Sequence, residues 1–389
     1  MIPVFLVTML SLVFGLHYYL YVRVVAQLGL PLWVELGTGV LVMSAVGLPA
    51  AMLITRFFGR RLGAWSGYLT FSWFGVVLLL IFTTFFSEPV RAVAWLLDYV
   101  QLLPIGDDGR VELARVLGFG TLAIGVGLSG YGAVAARDLQ TVKQAIHLKR
   151  FPSALDGFRI AQLSDLHVGP TIDGEWLKGV VARTNAEEPD LVVITGDLVD
   201  GSVADLGEHV RPLAELRARH GVFFVTGNHE YYSGVDDWIT FLESLGVRVL
   251  RNERVTIGEG EASFELAGID DYRAKDFGRG HGADLPRALA GRDPEREVVL
   301  LAHQPKAAFE AAKHGVGLQL SGHTHGGQIF PWGFFVRIDQ TFLRGLERHG
   351  DLQIYTSCGT GYWGPPMRVG APPEISLLSL YRDPSGDVS

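Results

Sequence analysis

Cysteine is nearly absent from this chain of 389 residues, which contains only Cys358. A single cysteine cannot form an intrachain disulfide, and it cannot build a zinc site that needs several thiolates. The cysteine count therefore excludes the disulfide-rich and cysteine-zinc classes of protein. Free cysteine packs as a small apolar residue, so we expect Cys358 to lie in a hydrophobic core.

Charge is scarce in the first third of the chain. Residues 1–136 contain 13 charged side chains, 7 basic and 6 acidic, whereas residues 137–389 contain 61, 26 basic and 35 acidic. We therefore predict two parts, a transmembrane region over 1–136 and a soluble domain over 137–389. An acidic domain lacks the basic surface that nucleic-acid binding requires, so we expect no nucleic-acid partner.

The first third contains four apolar stretches, at about 2–22, 34–54, 66–86 and 113–135. Each has roughly the 20 residues that cross a bilayer, and they predict a multi-pass protein of the cell (inner) membrane. The first stretch lacks the basic start and the cleavage site of a signal peptide, which favours an uncleaved helix. Residues 90–100 are amphipathic and predict a separate helix lying in the membrane interface.

Basic residues near the ends of the spans predict the orientation, because they favour the cytoplasmic side. Four spans place two basic regions on one side: Arg56, Arg60, Arg61, Arg137, Lys143, Lys149 and Arg150. The other side has four basic residues: Arg23, Arg91, Arg110 and Arg115. The bias predicts that both termini, and with them the soluble domain, are cytoplasmic.

The soluble region alternates apolar, strand-like segments with helical ones. Strands are predicted at about 142–149, 158–163, 190–195, 222–226, 247–257, 262–268, 297–302, 317–320, 352–356 and 374–381. Helices are predicted at 173–186, 203–219, 235–245, 283–290 and 304–314. This alternation, with a run of strands late in the chain, predicts the α/β class and a sandwich of two sheets flanked by α-helices.

Five short polar motifs follow predicted strands. They are Asp165-Leu166-His167, Gly196-Asp197, Gly227-Asn228-His229-Glu230, His303 and Gly322-His323-Thr324-His325. Taken alone, each has an ordinary explanation, such as a turn, a helix cap or a hydrogen-bonded structural histidine. Ligands of α/β proteins bind beyond the carboxyl ends of the strands, so five such motifs together indicate one shared site.

The side chains in these motifs indicate a metal site. Imidazole combined with carboxylate and amide oxygens suits Mn²⁺, Fe or Zn²⁺, whereas Mg²⁺ and Ca²⁺ prefer oxygen alone. Seven such residues with one shared carboxylate supply eight ligand positions, enough for two ions. A pair of ions can clamp the attacking and leaving oxygens of a displacement at phosphorus.

The motif set D-x-H, G-D, G-N-H-E, H and G-H-x-H, spread over about 155–382, resembles the signature of the calcineurin-like metallophosphoesterases. The resemblance implies one metal held by Asp165, His167, Asp197 and His325, and a second held by Asp197, Asn228, His303 and His323. It also implies that a metal-bridging hydroxide is the nucleophile. His229 would then be the catalytic residue that faces the phosphate rather than a ligand.

Longer motifs resemble one branch of this family. The sequences S-D-L-H-V-G and G-H-T-H-G-G-Q, with the ending at Gly364–Ile375, are similar to membrane-associated bacterial phosphodiesterases and to UDP-diacylglucosamine hydrolases. The resemblance implies hydrolysis of a phosphodiester or pyrophosphate, with a phospholipid or nucleotide-linked lipid as substrate. We expect Asp200 and Glu230 to orient metal ligands, and Arg368 to form a structural ion pair rather than contact substrate.

Two other functions share parts of this pattern. A catalytically inactive, metal-binding membrane sensor or scaffold would be marked by a missing ligand or a replaced His229, and the sequence has neither. A protein serine/threonine phosphatase shares the metal motifs but is usually soluble, which four apolar spans do not favour.

Overall fold

The computed structural model describes the backbone of residues 2–57, 60–278 and 280–384, without the side chains of 2–6 and 48–65. The chain divides into two compact units. One comprises residues 1–134 with the short segment 364–367, and the other comprises residues 135–363 and 368–389. The predicted boundary after residue 136, between a transmembrane region and a soluble domain, stays a prediction.

The first unit is helical. Its helices are α1 (Ile2–Arg23), α2 (Pro31–Phe57), α3 (Arg60–Tyr99) and α4 (Gly106–Ala135). Among the described residues, three segments are long and apolar enough to cross a membrane: Val7–Gln27, Ser66–Tyr99 and Gly106–Ala135. The predicted span 34–54 runs beyond the described side chains, and its described part, Pro31–Gly47, is apolar but shorter.

The predicted interfacial helix at 90–100 is wrong as a separate element. The third helix continues without a break through Pro89 to Tyr99. Proline removes one backbone donor from a helix, but helices in apolar surroundings tolerate it because neighbouring groups satisfy the freed carbonyl. The amphipathic pattern of this segment therefore belongs to the last turns of α3.

The second unit contains two six-stranded sheets. The first sheet has β1 (Gln140–Leu148), β2 (Phe158–Leu163), β3 (Leu191–Thr195), β4 (Val222–Val225), β5 (Val247–Val249) and β12 (Glu374–Arg382) in the order β1-β12-β2-β3-β4-β5. The second has β6 (Glu253–Glu259), β7 (Ala262–Gly268), β8 (Val298–Leu301), β9 (Leu318–Ser321), β10 (Gly345–His349) and β11 (Leu352–Thr356) in the order β10-β11-β9-β8-β7-β6. In each sheet the central strands are parallel, β2-β3-β4-β5 in one and β11-β9-β8-β7 in the other.

The two sheets pack face to face, as alternation along β2 illustrates. Phe158 and Ile160 contribute to the core between the sheets, whereas Ala161 and Leu163 belong to the core between the first sheet and its helices. A third buried cluster lies on the outer side of the second sheet. The predicted α/β sandwich flanked by helices is confirmed.

Helices surround the sheets. They are α5 (Gly174–Ala186), α6 (Val203–Val210), α7 (Asn228–Ser233), α8 (Val235–Ser244), α9 (Leu285–Ala288), α10 (Ala308–Ala311) and α11 (Gly333–Asp339). The predicted helix 203–219 is too long, because Pro212 lacks an amide donor and the chain continues as a short 3₁₀ helix. The predicted strand 247–257 is two strands, since Asn252 turns the chain with a φ of 52°.

Candidate metal centre

The predicted site residues come together at one edge of the sandwich. Strands β2, β3 and β4 of the first sheet and β8 and β9 of the second end just before the polar motifs. The residues that follow these strand ends are Asp165, Asp197, Asn228, His303 and His323. Parallel strands deliver their carboxyl ends to one edge, which is where α/β folds build their sites.

The ligand atoms form two close sets. Asp165, His167 and His325 make one set, and Asp197, His303 and His323 make the other, with the ligand atoms of each set within 4.8 Å of one another. The Oδ2 atom of Asp197 lies 3.1 Å from His303 Nε2 and 4.0 Å from His167 Nε2. The Asp197 carboxylate therefore belongs to the second set and also lies close to His167 of the first.

The backbone at these residues is unusual. Positive φ angles of 48–69° occur at five of the predicted ligands: Asp165, His167, Asp197, His323 and His325. Non-glycine residues seldom adopt this left-handed conformation, and such strain concentrates at functional sites. The concentration in one place indicates that the fold holds these side chains in a required geometry.

Two glycines make the close approach of these segments possible. A Cβ atom at Gly227 would lie 2.2 Å from Asp197 Oδ1, and one at Gly322 would lie 1.9 Å from Ser164 Oγ. Both distances are well below van der Waals contact, so any side chain at either position would push the loops apart. The glycines of the G-N-H-E and G-H-x-H motifs are therefore needed for packing around Asp197 and Asp165.

Hydrogen bonds fix which ring nitrogen each histidine presents. His303 Nδ1 lies 2.7 Å from the carbonyl oxygen of Thr195 and donates to it, which turns His303 Nε2 toward Asp197. His167 turns Nδ1 toward Asp200 Oδ1 at 3.0 Å and Nε2 toward the centre. Outer partners of this kind set the tautomer and orientation of metal-binding histidines.

Asn228 provides a direct test of whether the residues fit a metal. Its side-chain oxygen is buried and has no hydrogen-bond partner among the described residues. A buried acceptor without a partner is costly, and a cation bound to this oxygen would remove that cost. The donor set and this unpaired oxygen both fit a dinuclear centre of divalent ions.

Glu230 holds the loop that contains Asp197. Its carboxylate accepts hydrogen bonds from the backbone amides of Asp197 at 3.0 Å, Leu198 at 2.8 Å and Gly227 at 2.7 Å. Burial is the largest influence on this carboxyl and, with the nearby Asp197, raises the pKa of Glu230 to about 7. As expected, Glu230 orients a ligand loop and is not itself in either ligand set.

His229 lies beside both sets but belongs to neither. Its Nδ1 is 2.6 Å from Asp200 Oδ1, and its Nε2 is 4.0 Å from Asp197 Oδ2. Burial alone would lower the pKa of His229, but the charges of Asp197 and Asp200 raise it to about 9. Asp200, His167 and His229 form a third close group, in which both histidines turn Nδ1 toward the Asp200 carboxylate.

Two aromatic side chains near His229 were not identified from the sequence. The ring centroids of Tyr232 and Trp363 lie 5.3 Å and 6.0 Å from that of His229, both edge to face. Both residues lie outside the predicted helices and strands, so no periodic pattern marks them. They border the exposed side of the candidate centre.

The expectation of an ion pair for Arg368 is wrong. The side chain is buried, and among the described residues it pairs with no carboxylate. It donates instead to backbone carbonyls, those of His325, Cys358, Gly359, Gly361 and Ala371. Arg368 thus joins the loop of His325 to the loop after β11. Cys358, in that second loop, is buried as predicted.

Comparisons with known proteins agree with this geometry. Residues 158–327 match the family model described as calcineurin-like phosphoesterase. A "Transmembrane protein with metallophosphoesterase domain" from Danio rerio is 36% identical over 329 residues, which cover 81% of this chain and 74% of the relative. An "Uncharacterized metallophosphoesterase" from Helicobacter pylori is 37% identical over 300 residues, covering 76% of this chain and 78% of the relative. A Bos taurus protein with the same name as the Danio rerio relative is 43% identical over 255 residues, covering 63% of this chain and 57% of the relative.

Proposed function

We propose that this protein cleaves a phosphodiester or pyrophosphate bond in a membrane lipid. The chain belongs to the calcineurin-like metallophosphoesterases and is a metal-dependent hydrolase of phosphoric esters. The observation that carries the proposal is the pair of ligand sets, which the Asp197 carboxylate connects. Two ions held at such a pair would supply an activated water and neutralise negative charge on the phosphate.

Each ligand set is assigned to one ion in the proposal. Asp165, His167 and His325 hold the first, His303, His323 and Asn228 hold the second, and Asp197 is shared. Mn²⁺, Fe and Zn²⁺ are the ions that this mixture of nitrogen and oxygen ligands suits. The unpaired Asn228 oxygen supports its assignment as a ligand.

His229 is proposed to donate a proton to the leaving oxygen. Asp200, together with Asp197, raises the pKa of His229 above its ordinary value and so favours the protonated imidazole. Asp200 accepts from His229 Nδ1 at 2.6 Å and so directs Nε2 toward the centre. This arrangement fits a general acid, whose Nε2 proton is held close to the ester oxygen that departs.

A lipid substrate is favoured by membrane association. Two of the relatives are named transmembrane proteins, and the chain has helices apolar and long enough to cross a bilayer. Only four residues separate the end of α4 at Ala135 from the start of β1 at Gln140. Four extended residues span at most about 14 Å, so the catalytic domain works close to the bilayer, where lipid phosphates are concentrated.

The experiment compares three substrates for the full-length protein in vesicles after loading with Mn²⁺. The substrates are bis-p-nitrophenyl phosphate, p-nitrophenyl phosphate and CDP-diacylglycerol, which represent a soluble diester, a soluble monoester and a lipid pyrophosphate. We expect turnover of the diester and faster turnover of the lipid. Hydrolysis of the monoester alone would contradict the proposed bond type, and hydrolysis of the soluble diester alone would contradict the lipid substrate.

We also propose a multi-pass arrangement with both termini in the cytoplasm, and a functional boundary after residue 136. The support is the seven-to-four distribution of basic residues over the two sides of the predicted spans. The test introduces a cysteine at Gly59 or at Asp107 and treats intact cells with a thiol reagent that does not cross the membrane. Labelling at Asp107 alone is expected, and labelling at Gly59 alone would reverse the orientation.

A further inference from the structure

An exposed apolar surface lies next to the candidate metal centre. It is formed by a loop and the short helix α11, and we call it the aromatic surface. Its members, each with about half or more of its area exposed, are Phe330, Trp332, Phe334, Phe335 and Ile338. Ile338 reaches 84% exposure. Contiguous exposed apolar groups of this kind mark sites of interaction, because leaving them in water is unfavourable.

The aromatic surface is held firmly at both ends. At its first residue, the amide of Phe330 donates to the carbonyl of Val369 at 2.8 Å, and the preceding Ile329 is buried. After it, Gln340 is buried and hydrogen-bonds to Gln304. The apolar side chains therefore point outward from a fixed backbone, and their exposure is a feature of the folded domain.

A cavity lies between the aromatic surface and the loop that follows His325. It has a volume of about 240 Å³, and its lining includes Gly326, Gly327, Phe330, Phe334, Arg337 and Arg344. Gly326 directly follows His325, a predicted metal ligand. One wall of the cavity thus continues the loop of the candidate centre, and another belongs to the aromatic surface.

The two arginines of this cavity make it positively charged. In the described part of the chain, neither is in a salt bridge: Arg337 donates to the carbonyl of Thr341, and Arg344 donates to that of Gly370. The nearby carboxylate of Asp339 is 3.4 Å from Lys306 and is paired with it. Guanidinium groups that no carboxylate neutralises can bind the phosphate of an anionic lipid.

Trp363 connects this surface to His229. Gln328, which precedes the aromatic surface, donates to the Trp363 carbonyl at 2.9 Å and accepts from its amide at 3.0 Å. The exposed Trp363 ring is also edge to face with His229. Gln328 therefore links the start of the aromatic surface to an exposed aromatic ring at the border of the centre.

We propose that the aromatic surface inserts into an anionic lipid bilayer, with Arg337 and Arg344 contacting lipid phosphates at the level of the headgroups. Lipid is the partner because the side chains are those of a membrane interface, tryptophan and phenylalanine with flanking cations. The chain also has helices that can cross a bilayer, so lipid is always within reach. Inserted in this way, the domain presents its centre at the depth where lipid phosphates lie.

The test measures membrane depth and does not depend on catalysis. Spin labels are attached to Phe335→Cys and Ile338→Cys in the full-length protein, reconstituted in vesicles of phosphatidylcholine with phosphatidylglycerol. A matched label on Ala182→Cys occupies an exposed position of α5. We expect the labels at 335 and 338 to be relaxed by oxygen and shielded from aqueous nickel-EDDA, and the label at 182 to show the reverse.

Labels at 335 and 338 that are as accessible to nickel-EDDA as the label at 182 would overturn the proposal. Shielding that persists when the protein is moved into detergent micelles and increases with protein concentration would also overturn it, because it would indicate a second copy of the chain. Vesicles of phosphatidylcholine alone test the arginines, and shallower insertion is expected there. None of these outcomes depends on whether the protein hydrolyses a lipid.

Discussion

The edge of the sandwich that holds the predicted metal ligands, which we call the rim, buries carboxylates, whereas the aromatic surface exposes apolar side chains. Asp165 and Asp197 are carboxylates with 0% and 3% exposure, whereas the apolar Phe334 and Ile338 are 67% and 84% exposed. Either arrangement is unfavourable unless a partner compensates for it. The comparison indicates that the rim is suited to cations and the aromatic surface to an apolar phase. Each conclusion can be tested by replacing the side chains that would contact the cation or the apolar phase.

The largest effect is expected when the shared carboxylate is removed. Asp197→Ala takes one ligand from both ion sites, so activity on bis-p-nitrophenyl phosphate should fall by about 10⁴-fold or more, toward the uncatalysed rate. Metal content, measured by mass spectrometry on the purified protein, should fall together with it. Asp237→Asn, an exposed carboxylate in α8, is the matched control. Normal metal content with near-normal turnover in Asp197→Ala would contradict a dinuclear site.

His229→Ala separates chemistry from metal binding at the same rim. The side chain lies outside both ligand sets and is hydrogen-bonded to Asp200, so its loss should leave the ions in place. General acid catalysis contributes about 10²–10⁴-fold, and turnover should fall by that order. The measurement pairs turnover with metal content, and loss of one ion would show instead that His229 is a ligand.

Glu230→Gln tests how much the buried rim depends on support from outside it. The carboxylate accepts three backbone amides, including that of Asp197, and an amide side chain brings a donor where acceptors are needed. Changes to such supporting groups typically weaken metal affinity about 10–100-fold. Titration of the metal-free protein with Mn²⁺ measures this affinity. Unchanged affinity would show that the Asp197 loop holds its position without Glu230.

The position of the rim follows from local features of the sequence, and the ligand roles of its residues stay predictions. Each motif places a few polar residues directly after a strand, so the strand pattern alone brings Asp165, Asp197 and His303 to one edge. What the sequence does not show is how the backbone accommodates them. The positive φ angles of His167 and His325 are seen only in the folded backbone, and no sequence motif reveals them.

Two of the elements that the sequence did not predict share a physical cause. Strand β10 and helix α11 were not predicted, and both have exposed or half-exposed faces. Sequence patterns reveal elements that bury one face in a core, through a period of two or of 3.6 residues. Helix α11 reverses that relation, because its apolar residues point outward and its neighbours Gln340 and Phe342 are the buried ones. The aromatic surface therefore becomes visible only in the folded chain.

Removing apolar area from the aromatic surface should affect only substrates that lie in a membrane. In the double variant Phe335→Ser with Ile338→Ser, turnover of CDP-diacylglycerol in vesicles should fall about tenfold, since two apolar side chains no longer insert. Turnover of soluble bis-p-nitrophenyl phosphate should stay unchanged. Phe309→Ser, another exposed aromatic residue of the same domain, is the control. Equal losses on both substrates would indicate a folding defect instead.

The smallest effect is expected at Cys358, which is buried close to the rim but carries no charge. A Cβ atom at Gly326 would lie 2.7 Å from its sulfur, and burial raises the pKa of the thiol to about 12. The thiol is therefore neutral and unreactive at physiological pH. Cys358→Ala removes one buried sulfur atom and should lower the free energy of unfolding by about 1 kcal/mol. Activity should stay within about twofold of the parent protein. Maleimide labelling of the folded parent protein should be slow, and urea should make it fast. Rapid labelling of the folded protein, or a large loss of activity in Cys358→Ala, would mean that a neutral group beside the rim matters as much as the charged ones.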